Sequence, residues 1–551
     1  MPVTTIPAML RARAAADGNA RAYTFLDDGE RDGAPLTWNE VDRRADAVAA
    51  AILNGTEPGA RVVILCPPGL SFIPAFFGAL RARSIAVPAY PPRIGRTGID
   101  PNDRLLTRLR AIVADASPTV VLATTPVIER AEAALMLVPD LAPAKWIDVD
   151  ALHECSDPID EPIDPYDVAF LQYTSGSTAE PRGVMVTHAN LLHNLSDAQA
   201  LAAHGAHSVS VSWLPVIHDM GLIQGVLQPA FSGFPAWLMS PAAFLQRPAR
   251  WLHAISRTGA TISGGPNFAY ELSVRRISVQ ERIGLELGTW QLAFNGAEPI
   301  RQSTLDAFCE AFGPCGFAPG AFRPSYGLAE ATLLVSTGRG ATVACGSPAA
   351  GTDVRIVDPH TEHECAPGTP GEIWIAGPGV AAGYWNQPEA TRATFGARIP
   401  GDNAGPFLRS GDIGVIADDG LHVTGRMKDV LIVRGIKHFP QDIEGTVERA
   451  SPWLRAGCCA AFAVPGADGD DVAIAAELDT PASLPGISPD ELILDIREAV
   501  GAAHGIQVSA VALVAPGAIP KTTSGKLQRF ACREGLLSGR MTRLSFWAAA
   551  S

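Results

Sequence analysis

Between Val168 and Ala198 the sequence switches from a strand pattern to a helix pattern across one short polar loop, and that switch limits what the chain can fold into. Val168 to Tyr173 is an apolar run of the kind that fills a buried strand. Thr174, Ser175, Gly176, Ser177 and Thr178 follow, all small and mostly hydroxylated. Pro181 and Gly183 interrupt the chain, and Val184 to Val186 predicts a second strand. Thr187 stands where a helix N-cap belongs, and Leu191, Leu192, Leu195 and Ala198 supply that helix with an apolar face.

Strand, hydroxyl-rich glycine loop, strand is a geometry that holds a polyanion. Gly176 lets backbone N–H groups approach phosphate oxygens, and the flanking hydroxyls donate without adding bulk. Arg182 supplies positive charge. A solvated turn has the same composition; the two flanking strands and the cation favour phosphate. The loop is not the common P-loop. Gly-Lys occurs once, at Gly525-Lys526, and Pro520 stands where that motif needs its first glycine.

At 551 residues the chain exceeds one hydrophobic core, so two or more domains are expected. A net charge of −14 argues against nucleic acid and anionic membranes as partners, though not against a nucleotide held by a local loop. The nine cysteines lack C-x-x-C spacing and read as reduced thiols of a cytoplasmic protein. The N-terminal stretch shows no long apolar h-region, and no uninterrupted apolar segment is long enough to span a bilayer.

Strands predicted at Val62–Leu65, Ile85–Pro88 and Val120–Ala123 alternate with helices at Val41–Ile52 and Phe72–Leu80, which implies a doubly wound parallel sheet with its ligand at the carboxyl ends of the strands. Ser210–Pro215 opens into His218-Asp219-Met220-Gly221; adjacent residues point apart, so His218 suits a pocket wall better than a metal site. Three more strands end in small residues: at Gly264-Gly265-Pro266-Asn267-Phe268, at Gly296-Ala297-Glu298, and at Tyr326-Gly327-Leu328-Ala329-Glu330. Such ends admit a planar ligand against backbone, with Tyr326 to stack on it and Glu330 to hold Mg²⁺. From Val354 the pattern changes to short strands and turns, with Asp412 placed for ribose hydroxyls. A charged joint at Arg426–Lys428 precedes a βαβ-like pattern (430–433, 440–450, 460–464), and Lys526 lies on a late glycine-containing loop.

In this order, over roughly Leu36 to Arg529, these motifs resemble the adenylate-forming superfamily of acyl-CoA ligases, luciferases and peptide-synthetase adenylation domains. Val87-Pro88-Ala89-Tyr90-Pro91-Pro92, Ser212-Trp213-Leu214-Pro215, Ser263 to Tyr270 and Tyr326 to Thr332 are most similar to fatty acyl-AMP ligases. The superfamily's Pro-Lys-Gly is Pro181-Arg182-Gly183 here, which keeps the charge.

The resemblance implies an α/β fold: a large N-terminal domain (1–425) of doubly wound sheets with a small antiparallel subdomain, a hinge (426–428), and a small mobile α+β C-terminal domain (429–551). It implies ATP and Mg²⁺, with the loop Thr174–Gly183 on the phosphates and Glu330 with Thr178 at the metal. Gly296, Ala297, Glu298, Tyr326, Gly327 and Leu328 would surround adenine, Asp412 and Arg426 the ribose, and Gly264, Gly265, Pro266, Asn267 and Phe268 the acyl group. Lys526, Glu330 and His218 would be catalytic, and Lys428 the pivot. The expected reaction turns a carboxylic acid into acyl-AMP for a carrier-protein thiol or a separate ligating enzyme; a complete acyl-CoA ligase and a non-catalytic adenylate-binding protein are the alternatives. An insertion usual in fatty acyl-AMP ligases is shortened or lost, since only Ser336 to Thr342 separates Val335 from Val343. Arg434 to Pro440 is closer to coenzyme A ligases, so coenzyme A stays open as the acceptor.

Overall fold

The structure, a computed structural model, describes residues 3–92, 104–130, 135–152, 158–174, 181–433, 436–466, 469–479, 488–521 and 527–549. The chain forms two compact units. The first comprises Met1–Gly368, Ile373–Ser410 and Ile416–His422; the second comprises Thr369–Glu372, Gly411–Val415 and Val423–Ser551.

The first unit holds two sheets wound as the alternating pattern requires. In one, the order is Lys145–Asp148, Val120–Ala123, Arg61–Leu65, Ile85–Pro88, Val168–Thr174, Arg182–Thr187. Its first five strands pair in parallel and the last is antiparallel. In the other, Arg21–Asp27, Ala236–Leu238, Ser210–Ser212, Ile262–Gly265, Leu292–Asn295 and Phe322–Tyr326 run parallel. All of their carboxyl ends therefore lie at one edge, which is where such sheets bind ligands. Ser336–Thr337 and Ser347–Pro348 extend this sheet with antiparallel strands.

Local sequence sets the helices. Thr37 and Thr187 each close a capping box, with Glu40 and Asn190, at the starts of Trp38–Leu53 and His188–Ala202. Leu191, Leu195 and Ala198 turn the second of these helices into the core. The helix Ile6–Asp17, which the sequence pattern left unassigned, packs on the same core.

Two buried histidines in this unit make its stability depend on acid. Burial pushes His188 and His204 down to about 4, and the backbone N–H of Ile6 donates to His188 Nδ1. A histidine whose folded pKa lies below its unfolded value of about 6.5 takes up protons on unfolding, so its stabilising effect is complete above pH 6.5 and is lost as pH falls towards 4. Urea unfolding at pH 7.5 and pH 4 should show a loss of about 3 kcal/mol per histidine. His188→Gln should flatten that pH dependence by one histidine's share.

Asp353–Val357, Gly371–Ala376, Leu408–Ala417 and Gly420–Arg426 form a separate four-stranded sheet. In the second unit, Leu454–Gly466, Gly469–Leu478, Val508–Val514 and Arg543–Ala548 form a mixed sheet. Helices Pro440–Ala450 and Pro489–His504 cover one face, and Arg529–Leu537 covers the other. The expected βαβ start is not formed: Leu431–Val433 pairs instead with Ile436–His438 as a hairpin. A three-residue apolar run satisfied its hydrogen bonds with the partner nearest in sequence rather than across a helix. All described cysteines are free. Among the described residues, no helix is long and apolar enough to cross a membrane.

Candidate active site

The loop strands form as a hairpin: Thr174 pairs with Arg182 and Tyr173 with Gly183. Gly183 is glycine because a Cβ would stand 3.0 Å from the Tyr173 ring, whose hydroxyl donates to Asp115 at 2.6 Å. Ser175, Gly176, Ser177 and Thr178 lie outside the described residues. The preceding strand also fixes the His218 loop, since Gln172 Nε2 donates to the carbonyl of Ile217 at 3.0 Å. His218 itself is half-buried and begins a short helix, Asp219–Leu222, that runs into a π-helical turn, Ile223–Leu227. Such turns are frequent at functional sites.

The Glu330 segment is shaped by strain. After the 3₁₀ turn Ala329–Ala331, Thr332 takes φ +68° and ψ −64°, and Leu333 N–H donates to the carbonyl of Ala331 at 2.8 Å. This is the rare form of γ-turn with positive φ, which L-residues hold only when surroundings enforce it. Here Thr332 Oγ1 donates to the carbonyl of Gly379 at 2.7 Å. The turn folds the chain back over Gly327, where a Cβ would meet the Leu333 carbonyl oxygen at 1.6 Å. Gly327→Ala should therefore displace the Glu330 turn and cut adenylation at least tenfold while the mixed sheet of the second unit keeps its amide protection; hydrogen exchange alongside ATP–pyrophosphate exchange checks both.

Glu330 Oε1 accepts from the Tyr384 hydroxyl at 2.9 Å, and the Arg182 guanidinium lies over the Tyr384 ring, 5.2 Å from its centroid. One tyrosine thus gathers the cation of the phosphate hairpin and the carboxylate assigned to the metal. The other Glu330 oxygen accepts no bond among the described residues. The described residues hold no cluster of three His, Cys, Asp or Glu side chains fit for a metal. A half-buried single carboxylate suits Mg²⁺, which is commonly bound by one or two carboxylates together with substrate phosphates. Sequence reasoning missed Tyr384; its only signal is the small-residue run Ala381-Ala382-Gly383 before two aromatic residues.

The remaining strand ends are close-packed. A Cβ on Gly264 would stand 2.2 Å from the Phe294 carbonyl oxygen, one on Gly265 2.6 Å from Trp213, and one on Gly296 2.6 Å from the Ser325 carbonyl oxygen. Ala297 takes φ +69°. Pro266 precedes helix Asn267–Arg276, in whose first turn the Phe268 N–H donates to Glu298 Oε1 at 2.6 Å. Asn267 is buried and its amide is spent on Thr304 and on the backbone N–H of Arg301. Phe268 remains half-buried, edge-on to Trp213 at 5.9 Å. Tyr326 is buried, and Gly327 and Leu328 are partly exposed beside it.

In the second unit, Arg426 Nε donates to Asp412 Oδ1 at 3.0 Å, so the two residues assigned to ribose meet. Lys428 is exposed in the 3₁₀ turn Met427–Asp429. Lys526 lies outside the described residues.

Parallel sheets whose carboxyl ends carry the Thr174–Arg182 hairpin pair, the Glu330 turn and small-residue strand ends define an adenylate-forming enzyme fold. The chain belongs to the AMP-binding enzyme family, which matches residues 10–385; residues 428–544 match the Disco-interacting protein 2-like, AMP domain family. It is 40% identical to the medium-chain-fatty-acid–[acyl-carrier-protein] ligase JamA of Moorena producens, with 98% of this chain and 96% of JamA covered. It is 38% identical to the long-chain-fatty-acid–AMP ligase FadD23 of Mycobacterium tuberculosis, with 98% of each covered. That alignment spans 590 positions against 551 residues here, so part of FadD23 has no counterpart in this chain. Among solved structures it resembles the Legionella pneumophila fatty acyl-adenylate ligase in complex with acyl adenylate and pyrophosphate, at 37% identity and TM-score 0.74, covering 99% of this chain and 98% of that one.

Proposed function

We propose that the protein activates an apolar carboxylic acid, of the fatty-acid class, as acyl-AMP with release of pyrophosphate, and passes the acyl group to a phosphopantetheine thiol of a carrier protein in cytoplasmic lipid or natural-product biosynthesis. The observation that carries this reading is the convergence of Arg182 and Glu330 on Tyr384 at the carboxyl ends of the strands, in a chain of this family. A carboxylate oxygen bonds to the α-phosphorus as the bond to pyrophosphate breaks. Two anions must meet, so the site needs charge of the opposite sign. The loop Thr174–Gly183 holds the β- and γ-phosphates, and Glu330 with Thr178 would hold Mg²⁺, which supplies charge neutralisation when bound. Gly296, Ala297, Glu298, Tyr326, Gly327 and Leu328 enclose adenine, and Asp412 with Arg426 holds the ribose. The acyl group lies along Gly264–Phe268, with His218 beside the reacting carboxylate. Residues 1–425 and 429–551 act as separate domains about a hinge at 426–428, with Lys428 the pivot that exchanges Lys526 for the acceptor thiol.

A second reading, direct ligation to coenzyme A, is favoured by the short Ser336–Thr342 segment. Acyl-AMP formation from ATP and Mg²⁺ across fatty, aromatic and polycyclic acids, with and without coenzyme A, separates the two. Acyl-AMP that persists in coenzyme A and is consumed by a phosphopantetheinylated carrier protein supports the first. Prompt acyl-CoA formation supports the second, and no adenylate with any acid sinks both.

A further inference from the structure

We infer that Tyr384 is a positioning residue for the phosphate site, holding the Glu330 carboxylate by its hydroxyl and the Arg182 guanidinium on its ring while keeping the two opposite charges from pairing with each other. The inference rests on the acyl-AMP reading for its consequences in turnover, but its geometry stands apart from the identity of the acid.

The chain stitches Tyr384 between the two elements it serves. Ala381 N–H donates to the Glu330 carbonyl at 2.9 Å, and Trp385 N–H donates to the Gly183 carbonyl at 2.8 Å. Met185 and residues 382–383 exchange two further bonds, at 2.9 Å each, so this crossing segment is laced to the hairpin strand on one side and to the Glu330 turn on the other. Tyr384 also pairs with Val184 as an isolated bridge. Its own N–H donates to Thr391 Oγ1 at 2.9 Å.

The side chain is buried at 5% exposure and packs edge-on against Phe395 at 5.2 Å. A space-filling role alone would be met by phenylalanine, yet the hydroxyl is aimed at Glu330 Oε1. Burial, with Glu330 adjacent, pushes the phenol well above its ordinary range, so it remains a donor at every working pH. Arg182 rests on the ring face as a cation–π pair. Each charge is held by Tyr384, Arg182 on the ring and Glu330 at the hydroxyl. A direct pair would spend each charge on the other; the intervening ring leaves the guanidinium and one carboxylate oxygen available to phosphate and metal.

Two substitutions divide the two functions. Tyr384→Phe keeps the ring under Arg182 and removes the bond to Glu330; Tyr384→Leu removes both. ATP binding by calorimetry across a Mg²⁺ series, and acid-dependent ATP–pyrophosphate exchange on the same samples, give the readouts. Tyr384→Phe should raise the Mg²⁺ concentration for half-maximal binding and exchange about tenfold, the loss expected for one hydrogen bond to a charged group. It should leave ATP affinity at saturating Mg²⁺ within about twofold, because Arg182 keeps its seat. Tyr384→Leu should weaken ATP at saturating Mg²⁺ as well. In a Glu330→Gln background, Tyr384→Phe should add little, because the carboxylate it positions is gone. An unchanged Mg²⁺ dependence in Tyr384→Phe, or full additivity with Glu330→Gln, overturns the inference. So does a uniform loss of melting temperature and activity in both variants, which is what mere packing predicts. If the wild type binds ATP with Mg²⁺ but never exchanges pyrophosphate with any acid, the acyl-AMP reading fails while the binding series still decides the role of Tyr384. If it binds no ATP, both fail.

Discussion

Lys526→Ala should reduce acyl-AMP formation by about 10²–10³-fold, the penalty of deleting one charge-stabilising group from a preorganised site. ATP affinity should change little, because the proposed phosphate and metal groups, Arg182 and Glu330, sit on other elements. The argument starts from charge. A carboxylate and an α-phosphate repel in the ground state and must share electrons in the transition state, so a cation that bridges them acts only where the bond forms and raises kcat rather than lowering KM. Lys526→Arg should recover little, since a planar fork cannot reproduce a compact ammonium at that point. Single-turnover acyl-AMP formation, with ATP binding measured separately, checks both variants. Unchanged turnover in Lys526→Ala would remove Lys526 from the chemistry.

Much of the first unit was legible in local runs of sequence. Ile85–Pro88, Val120–Ala123 and Leu292–Asn295 stand where the pattern puts them, as does helix Pro440–Ala450 of the second unit. The strands' short length, apolar composition and flanking turn residues identify such segments as buried strands. The N-cap at Thr187 was legible as a local signal, and Asn190 completes its capping box. What escaped depends on contacts between distant segments. Tyr384 matters because it lies against Glu330, 54 residues away, and no local pattern encodes that meeting. The γ-turn at Thr332 is likewise enforced by the Gly379 carbonyl from another segment. The amide of Asn267 binds Thr304 and the Arg301 backbone, partners more than 30 residues away that its sequence neighbours do not reveal. The hairpin Leu431–His438 was read as one strand of a larger unit because its second strand is too short to show a period.

Arg529→Met should destabilise the second unit by about 3–5 kcal/mol, the cost of stranding a buried charge after its partner is removed. Arg529 binds Glu444 with both arms, Nε to Oε1 and Nη2 to Oε2, each at 2.7 Å, and Nη1 reaches Asp429 Oδ2 at 3.0 Å. The Glu444 side chain is 3% exposed, and its Oε1 also accepts from the Ala461 backbone. Fork geometry of this kind is specific to arginine, so Arg529→Lys should recover only part of the loss. Glu444→Gln in the Arg529→Met background should recover more, because it removes the stranded anion while keeping an acceptor for Ala461. Hydrogen exchange on the intact chain reads this directly: protection should fall in helices Pro440–Ala450 and Arg529–Leu537 and hold in the parallel sheets of the first unit. Asp429 directly follows Lys428, and Arg529 stands three residues beyond Lys526. The same triad therefore ties the exit of the lysine loop to the joint about which we propose it turns. Loosening that tie should slow adenylation even where the unit stays folded, and activity in Arg529→Met that tracks only the folded fraction would show that the triad serves stability alone.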